Sequence, residues 1–481
     1  MFDIIPYFYL FKQQKNKNEY NDYMNELKLL KSKKFHFIGI GGVSMSSLAL
    51  MLKKNGFYVQ GSDEVNNSEV KNLVRKKVRV FLGHSKNNVL GVDVVVFSSA
   101  IQEDNPELVY ARKNNLIIFK RAELLGMIAE TYKTVIAIAG SHGKTTTTAM
   151  IGEMFLKAGL KPTLHIGGKL KSINSNYLVG NKVYFVTENC EYKDNFLYVK
   201  PDISVILNID SDHLDYFGNL ENIKLSFLKY AKGTRDGGLN LVCDQCCNLS
   251  EISRLENSVK FGINSKSDII AKNVKEYKSG YYSFDVIFEK CKLGKIELNI
   301  FGEHNVINAL ACVFVGLICG LKFDDIRNAI ENFSGVERRS DFVGGVNDAM
   351  VLHDYAHHPR QIEKMIEAIK QIQRKRGGRI ITIFEPHTFS RTKFLLEDFA
   401  KSFVGSDYVF LAPVYSAREQ EEDGLNSSDL LVSCEKFVKN SKLFYSFNDI
   451  VFEVKNVAKK DDIILVLGAG TIEKLSKMLV E

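Results

Sequence analysis

The stretch that most limits what this chain can fold into is AGSHGKTTTT, Ala139 to Thr148. It follows the apolar run VIAIA and precedes AMIGEMFLKAG, which has helical apolar spacing. A strand that turns through glycines into a helix belongs to folds in which strands and helices alternate around a parallel sheet. The glycines of the G-x-x-G-K-T core, Gly140 to Thr145, let backbone N–H groups close around phosphate oxygens. The helix N-terminus adds a favourable field for anions. Lys144 suits the β- and γ-phosphates, and the Thr145 hydroxyl suits Mg²⁺. A full nucleotide-binding loop would place Gly at position 138, where Ile138 stands. The plain alternative is a strand-to-helix turn with an incidental lysine.

The rest of the chain repeats the alternation in three series. FHFIGI, FYVQGSD, VDVVVFSSA and LIIFKRAE form the first. VIAIAG, YFVTEN, ISVILNID and LNLVC form the second; AMVLHDYA, RIITIFEP, YVFLAPVY and DIILVLGAG form the third. The expected fold class is α/β with three domains. These are a Rossmann-like N-terminal domain, a central P-loop ATPase-type α/β domain and a Rossmann-like C-terminal domain. The expected boundaries are an N-terminal extension over 1–32, then domains at 33–132, 133–335 and 336–481. The extension carries a partly helical stretch near Tyr23 to Leu30. The run Ala309 to Leu321 reads as a buried helix, too short to span a membrane.

Composition narrows the class further. With 45% hydrophobic and 25% charged residues over 481 positions, neither disorder nor a fibrous repeat fits. A net charge of +7 from 64 basic and 57 acidic residues suits anionic substrates and does not call for nucleic acid. The apolar N-terminus has its lysines (Lys12, Lys15, Lys17) after the apolar run, the reverse of a secretory signal. Eight cysteines without disulfide spacing suit a reducing, cytoplasmic setting. The cluster at Cys243, Cys246 and Cys247 lacks a second ligand pair for zinc and reads as ordinary thiols.

Four further clusters carry polar chemistry. GIGGVSMS, Gly39 to Ser46, resembles a dinucleotide fingerprint with Ser44 at the third glycine position. Asp63 follows in GSD, about twenty residues on, where a ribose hydroxyl would be read. A tight βα turn without a ligand is the alternative. TENCEY and NIDSDHLDYF place Glu188 and His213 at strand ends, suited to Mg²⁺ facing the phosphate loop. His213 also reads as a capped turn histidine. Asn305 and Asn308 share a helix face and suit a base edge, although on spacing alone helix capping is the better reading. In HDYAHHP and EPHTFSRT, Pro359 breaks any helix that would hold His353, His357 and His358 as a metal site. His387 with Arg391 suits a carboxylate or phosphate.

HFIGIGGVSMS, YVQGSD, GSHGKTTTT, NIDSDHLDY, GEHNVINALA, GVERRSD, DYAHHP and PHTFSRT occur in the order of the Mur ligases of peptidoglycan synthesis. From about residue 34 to its end the chain resembles that family. The resemblance implies that Gly39, Gly41, Gly42, Ser62, Asp63, His84, Ser98 and Ser99 hold the UDP part of a sugar nucleotide. It implies that Gly140, Ser141, His142, Gly143, Lys144, Thr145 and Thr146 cradle ATP phosphates. His304, Asn305 and Asn308 would face adenine, with Arg339 and Asp354 reaching ATP from the hinge side. Thr145, Glu188 and His213 would hold Mg²⁺, with Lys144, Glu188 and His213 as the catalytic set. Tyr355, His357, His387 and Arg391 would line the amino-acid and muramoyl side.

The activity so implied is ATP-dependent joining of L-alanine to the lactyl carboxylate of UDP-N-acetylmuramate through an acyl phosphate. A recycling ligase adding a tripeptide to the same sugar nucleotide shares most of these motifs. A nicotinamide-dependent oxidoreductase would not need Lys144, and a P-loop motor would not need two flanking ligand-binding domains. Three departures stand out. ENCEYKD replaces the commoner E-x-D-E-S-D, Thr388 stands where many members carry Arg, and Lys224 follows His213 where some sister ligases use a carbamylated lysine. No nucleic-acid or membrane partner is expected, and the chain is expected to be a monomer or weak homodimer.

Overall fold

The computed structural model describes residues 30–264, 266–278, 280–416 and 426–481. The expected helical stretch before Leu30 lies outside them. The chain is mixed α/β and carries three sheets, of five, ten and six strands. It divides into two compact units. One holds the chain through Val274 with Phe284–Glu297 and His304–Ser334; the other holds Gly335–Glu481 with the short pieces Lys275–Ser283 and Leu298–Glu303.

The strands form where the sequence is β-branched and apolar throughout. Val94–Phe97, Thr134–Ala139, Ile380–Phe384 and Ile463–Leu467 are buried along their whole length. That is the pattern of parallel strands covered on both faces. In the first sheet, Lys34–Ile38 lies between Tyr58–Asp63 and Val94–Phe97, parallel to both. The strand order reverses at that central strand, so the loops leaving Ile38 and Phe97 flank a crevice at the strands' C-terminal ends. In the central sheet, Thr134–Ala139 lies between Ile203–Ile206 and Tyr184–Glu188, again parallel to both. In the third sheet, Ala349–Asp354 and Ile380–Phe384 flank Ile463–Leu467.

Two features depart from a purely parallel reading. Thr163–Leu170 pairs antiparallel with Ser175–Leu178, and Asp341–Val346 pairs antiparallel with Ala349–Asp354. The central sheet also continues through Ile269–Lys278, Tyr281–Phe288 and Cys291–Glu297. The charges and glycine of these edge segments, such as CKLGKIE, hide a strand from a search for continuous apolar runs. The run at Ala309 is a buried helix, His304–Ile318, as the sequence implies. Pro359 begins the helix Pro359–Arg376 rather than interrupting one, because its missing N–H is no loss in the first turn.

Within the first unit, one core joins the first and central sheets. Phe35, Leu48, Val94, Leu125, Ile128, Tyr132, Val135 and Phe185 belong to a single buried cluster. The helix Arg121–Glu130 is the connector. Arg235 clamps its end, reaching Glu130 at 2.8 Å and Asp202 at 2.9 Å. Midway along it, a Cβ on Gly126 would lie 2.2 Å from the Tyr198 backbone oxygen. Gly126→Ala should therefore destabilise the protein by about 1–3 kcal/mol through overpacking, read as a lower midpoint in urea. An unchanged midpoint would mean the helix is not held this closely.

Candidate active site

The first unit carries two strand-end loops with chemistry. At the first sheet, Asp63 is buried and its two oxygens accept the Gly41 and Val65 N–H groups, at 2.8 and 3.1 Å. A Cβ on Gly41 would meet Asp63 Oδ2 at 2.9 Å, so only glycine lets the loop close this tightly. Asp63 thus builds the loop before it can read any ribose. Gly39 turns with φ 75°, and Gly39 and Ile40 both donate to the Ser62 carbonyl. Ser62 is fully buried and its hydroxyl lies 3.0 Å from His84 Nδ1. Gly42 and Ser98 are partly exposed, and Ser99 is exposed. Beside this loop, Ser44 Oγ bridges Arg121 and His165, at 3.2 and 2.9 Å.

The phosphate loop follows Thr134–Ala139. Gly140 and Gly143 take φ of 136° and 83°, conformations that favour glycine, and Gly143 caps the helix Lys144–Lys157. The loop is braced from the next strand. Asn208 Oδ1 accepts the His142 N–H at 2.8 Å, Ser141 Oγ accepts the Asp210 N–H at 2.9 Å, and the His142 ring meets Asp210 at 3.3 Å. Asn308 presses on the same turn, its Oδ1 2.7 Å from where a Gly143 Cβ would stand. Asn308 also donates to Asn305 at 2.8 Å, and both are buried. The pair is therefore packed on the phosphate loop and is more than a cap. His304 begins their helix and is exposed; Thr146 is partly exposed on the first turn after Lys144.

Lys144 folds its ammonium back onto the Gly140 and Ser141 carbonyls and onto Glu191, 2.9 Å away. Burial opposes the charge, but nearby negative groups, Glu191 foremost, hold its pKa above the usual value. Thr145 Oγ1 donates to Glu188 at 2.8 Å, which also accepts the Gly167 N–H at 2.9 Å. His213 groups with Glu191 and Asp212, their ligand atoms all within 4.8 Å of one another. The expected trio Thr145, Glu188 and His213 thus resolves into a Thr145–Glu188 pair and a Glu191–Asp212–His213 group. Hydroxyl and carboxylate oxygens in this number are donors that suit Mg²⁺. Lys224 lies on its helix face with Glu221 at 2.7 Å, an exposed i,i+3 pair outside that group. The Cys243 thiol is buried and pushed up to about 11 by desolvation, which leaves it protonated.

The second unit gathers the remaining residues at its own strand ends. Arg338 and Arg339 both stack on Tyr355, 4.8 and 5.0 Å from the ring centroid. Asp354 accepts the Ser340 and Ala356 N–H groups at 2.7 and 2.8 Å. The rings of His357 and His387 lie 6.0 Å apart, and Arg391 reaches His387 Nδ1 at 3.5 Å. Burial and then the Arg391 guanidinium push His357 down to about 3, so the ring is neutral. Thr388 sits at φ 69°, ψ 142°, a strained setting for a β-branched residue, and turns the chain into the helix Phe389–Phe394 that carries Arg391. The cationic groups Arg338, Arg339 and Arg391 suit an anionic ligand.

Three Mur ligase family descriptions match in order. They are the Mur ligase family catalytic domain over residues 34–133, the Mur ligase middle domain over 138–316, and the glutamate ligase domain over 338–470. The UDP-N-acetylmuramate–L-alanine ligase of Caldicellulosiruptor saccharolyticus is 41% identical over 93% of this chain and 98% of its own. The chain belongs to the Mur ligase family. The enzyme of the same name from Clostridium acetobutylicum is 42% identical, again over 93% and 98%. Among solved structures, UDP-N-acetylmuramate–alanine ligase from Thermotoga maritima superposes with a TM-score of 0.79 at 27% identity, covering 93% of this chain and 98% of that one. A murein peptide ligase from Psychrobacter arcticus, at 23% identity and TM-score 0.70, shares the fold over 93% and 98%.

Sequence reasoning about this Mur ligase missed Glu191, Asp210, Arg121 and Arg338. Glu191 was within reach, since its carboxylate sits in the ENCEY segment that already singled out Glu188. The others matter through partners distant in sequence. His165 and His353 are likewise buried, and desolvation pushes each down to about 3. Both bind a proton below about pH 6.5 when unfolded but stay neutral when folded. Their contribution is therefore fully present above about pH 6.5 and is lost as pH falls toward 3, by up to about 1.4 kcal/mol per pH unit each. Denaturant titrations of parent and His165→Gln at several pH values between about 7 and 5 should show a shallower fall in the variant. Parallel slopes would contradict a buried neutral His165.

Proposed function

We propose that the chain is a UDP-N-acetylmuramate–L-alanine ligase, forming an amide between the lactyl carboxylate of the sugar nucleotide and the amine of L-alanine with ATP. The observation that carries this is identity of 41 and 42% over 93% of the chain to enzymes of that name, on a phosphate loop with its carboxylates in place. We assign the sugar nucleotide to 33–132, ATP to 133–335 and the amino acid to 336–481. Free cysteines throughout support a reducing cytoplasmic setting, and among the described residues no helix is long and apolar enough to cross a membrane. We propose a monomer or weak homodimer.

The chemistry follows from charge. A lactyl oxygen attacks the γ-phosphorus, the bond to ADP breaks, and an acyl phosphate forms. The amine nitrogen then attacks the acyl carbon, phosphate leaves with the bonding pair, and the amine gives up a proton. The first step brings two anions together, so preorganised cations dominate its barrier. In this reading Lys144 exchanges Glu191 for the β- and γ-phosphates, while Gly140–Thr146 supply N–H donors. Thr145, Glu188, Glu191, Asp212 and His213 are the groups that would hold Mg²⁺, which when bound neutralises phosphate charge. Asn305 and Asn308 position the loop beside the adenosine, and Arg339 and Asp354 are the candidates for ATP in the second unit. Gly39–Gly42, Ser62, Asp63, His84, Ser98 and Ser99 take the UDP portion. Tyr355, His357, His387 and Arg391 take the amino acid, with His357 as a neutral ring.

Phosphate release with ATP and UDP-N-acetylmuramate should require L-alanine and should not proceed with a murein tripeptide in its place. Tripeptide-dependent turnover without alanine turnover would reassign the acceptor. Lys144→Ala should lower turnover by at least roughly a hundredfold, because a charge-stabilising donor is lost from the transferring phosphoryl group. Near-normal turnover in a folded variant would remove the loop from the mechanism. Arg391→Ala should raise the KM for L-alanine by roughly ten- to a hundredfold, the range for losing a charge-assisted hydrogen bond. Chemical trapping of the acyl phosphate should persist. An unchanged KM would move Arg391 out of the amino-acid pocket.

A further inference from the structure

The most completely satisfied buried charge outside the phosphate loop is Glu107, on the first turn of the helix Pro106–Lys113. Its side chain is fully buried. One carboxylate oxygen accepts the Asn88 amide at 2.6 Å and the Ser85 N–H at 3.2 Å. The other accepts the Ser62 hydroxyl and lies 3.3 Å from both His36 Nε2 and His84 Nδ1. A buried carboxylate with five donors stays ionised. Burial works against the charge, but the His36 and His84 hydrogen bonds lead the opposing effects and hold the pKa far below the carboxylate range.

The two imidazoles have different freedom. His36 is fully buried, and the Gln60 amide donates to its Nδ1 at 3.2 Å. With Nδ1 accepting from Gln60, its Nε2 is left to face Glu107 at 3.3 Å. His84 follows the strand Arg79–Leu82, beside the end of Tyr58–Asp63, and its side chain is 10% exposed. Its Nδ1 faces Glu107 and Ser62, while no hydrogen bond to its Nε2 is found among the described residues. The titratable groups acting on it are Glu107 from the helix and Asp63 and Glu64 from the end of Tyr58–Asp63. The His36 ring lies on the far side of the same carboxylate, 3.3 Å from it.

We propose that Glu107 is a positioning residue for the sugar nucleotide: it fixes His84 with Nδ1–H inward, so that the ring presents a cationic Nε2–H to an anionic oxygen of the nucleotide diphosphate. This rests on assigning the first sheet's crevice to the UDP portion. The Glu107 hydrogen bond, joined by the Glu64 and Asp63 charges, holds the His84 pKa above its ordinary value against burial. The ring's charge, and with it affinity, therefore persists to higher pH than an ordinary imidazole's and is lost as pH rises through that raised value. Through His84, a buried carboxylate thereby sets the pH range of binding.

Calorimetry on the full chain from about pH 6 to 9 tests this, with UDP-N-acetylmuramate, UDP and uridine as probes. UDP should show the loss of affinity with rising pH, and uridine should not. Glu107→Gln should weaken UDP roughly tenfold near neutrality, the scale of a charge-assisted hydrogen bond, and start the loss at lower pH. ATP affinity and kcat at saturating substrates should hold. The His84 ring, followed by NMR titration, should lose its proton at lower pH in the variant. An E107Q protein with the parent's UDP affinity and pH profile overturns the inference, as does equal pH dependence for uridine. If E107Q fails to fold, His84→Gln decides: disappearance of the pH dependence supports the proposal, and its persistence overturns it. A parent that binds ATP but no UDP compound at any pH instead overturns the assignment of the first sheet.

Discussion

A buried ammonium must be met by negative charge, and the Lys144–Glu191 contact at 2.9 Å meets it at the centre of this protein. The rest of the first unit's chemistry is arranged around that balance. Gly140 and Gly143 open the turn so that Lys144 reaches its own loop carbonyls. Asn208 and Asp210 brace the loop, and Thr145 engages Glu188 beside it. A phosphate chain entering such a loop brings the negative charge that Glu191 otherwise supplies. In the proposed function Glu191 would then be free to turn to Asp212 and His213, the group it already approaches. One carboxylate would thus link the lysine to the residues proposed to hold Mg²⁺.

The same logic of strand ends recurs in each sheet. Parallel strands buried on both faces have no polar work to do along their length, so the chemistry collects where they stop. Gly39–Ser46 leaves the central strand of the first sheet, Gly140–Thr145 that of the second, and Gly468–Thr471 leaves Ile463–Leu467 in the third. Each loop relies on groups that brace it from behind. Asp63 holds Gly41, Asn208 holds His142, and Glu385 accepts the Thr471 hydroxyl and the Ile472 N–H. Precise placement of substrate groups depends on such bracing as much as on the residues that touch substrate.

Legibility in the sequence follows the range of the interactions. The alternation of strands and helices, the glycine loops at Gly39 and Gly140 and the buried helix at Ala309 all follow from local patterns. So does the clustering of Tyr355, His357, His387 and Arg391, which come from loops of one sheet. The glycine at 41 and the aspartate at 63 are a fingerprint pair, yet their contact shows Asp63 spent on the loop. Glu107, Arg121 and Arg235 gave no local signal, and the GVERRSD motif singled out Arg339 while leaving the partners of Arg338 unread. Each is an ordinary charged residue in sequence, and only folding shows that it meets partners tens of residues away, Glu107 buried and the arginines half-buried. The antiparallel additions escaped because mixed polar edge strands lack the apolar run that marks a central one.

The central claim is that phosphoryl transfer activates a carboxylate, and the fate of that carboxylate's oxygen tests it directly. UDP-N-acetylmuramate labelled with ¹⁸O in the lactyl carboxylate is turned over with unlabelled ATP and L-alanine, and the released phosphate is analysed by mass spectrometry. An acyl phosphate requires that a labelled oxygen leave with the phosphate, because the amine attacks carbon and breaks the C–O bond. Phosphate free of label, formed while the amide product accumulates, would contradict the account.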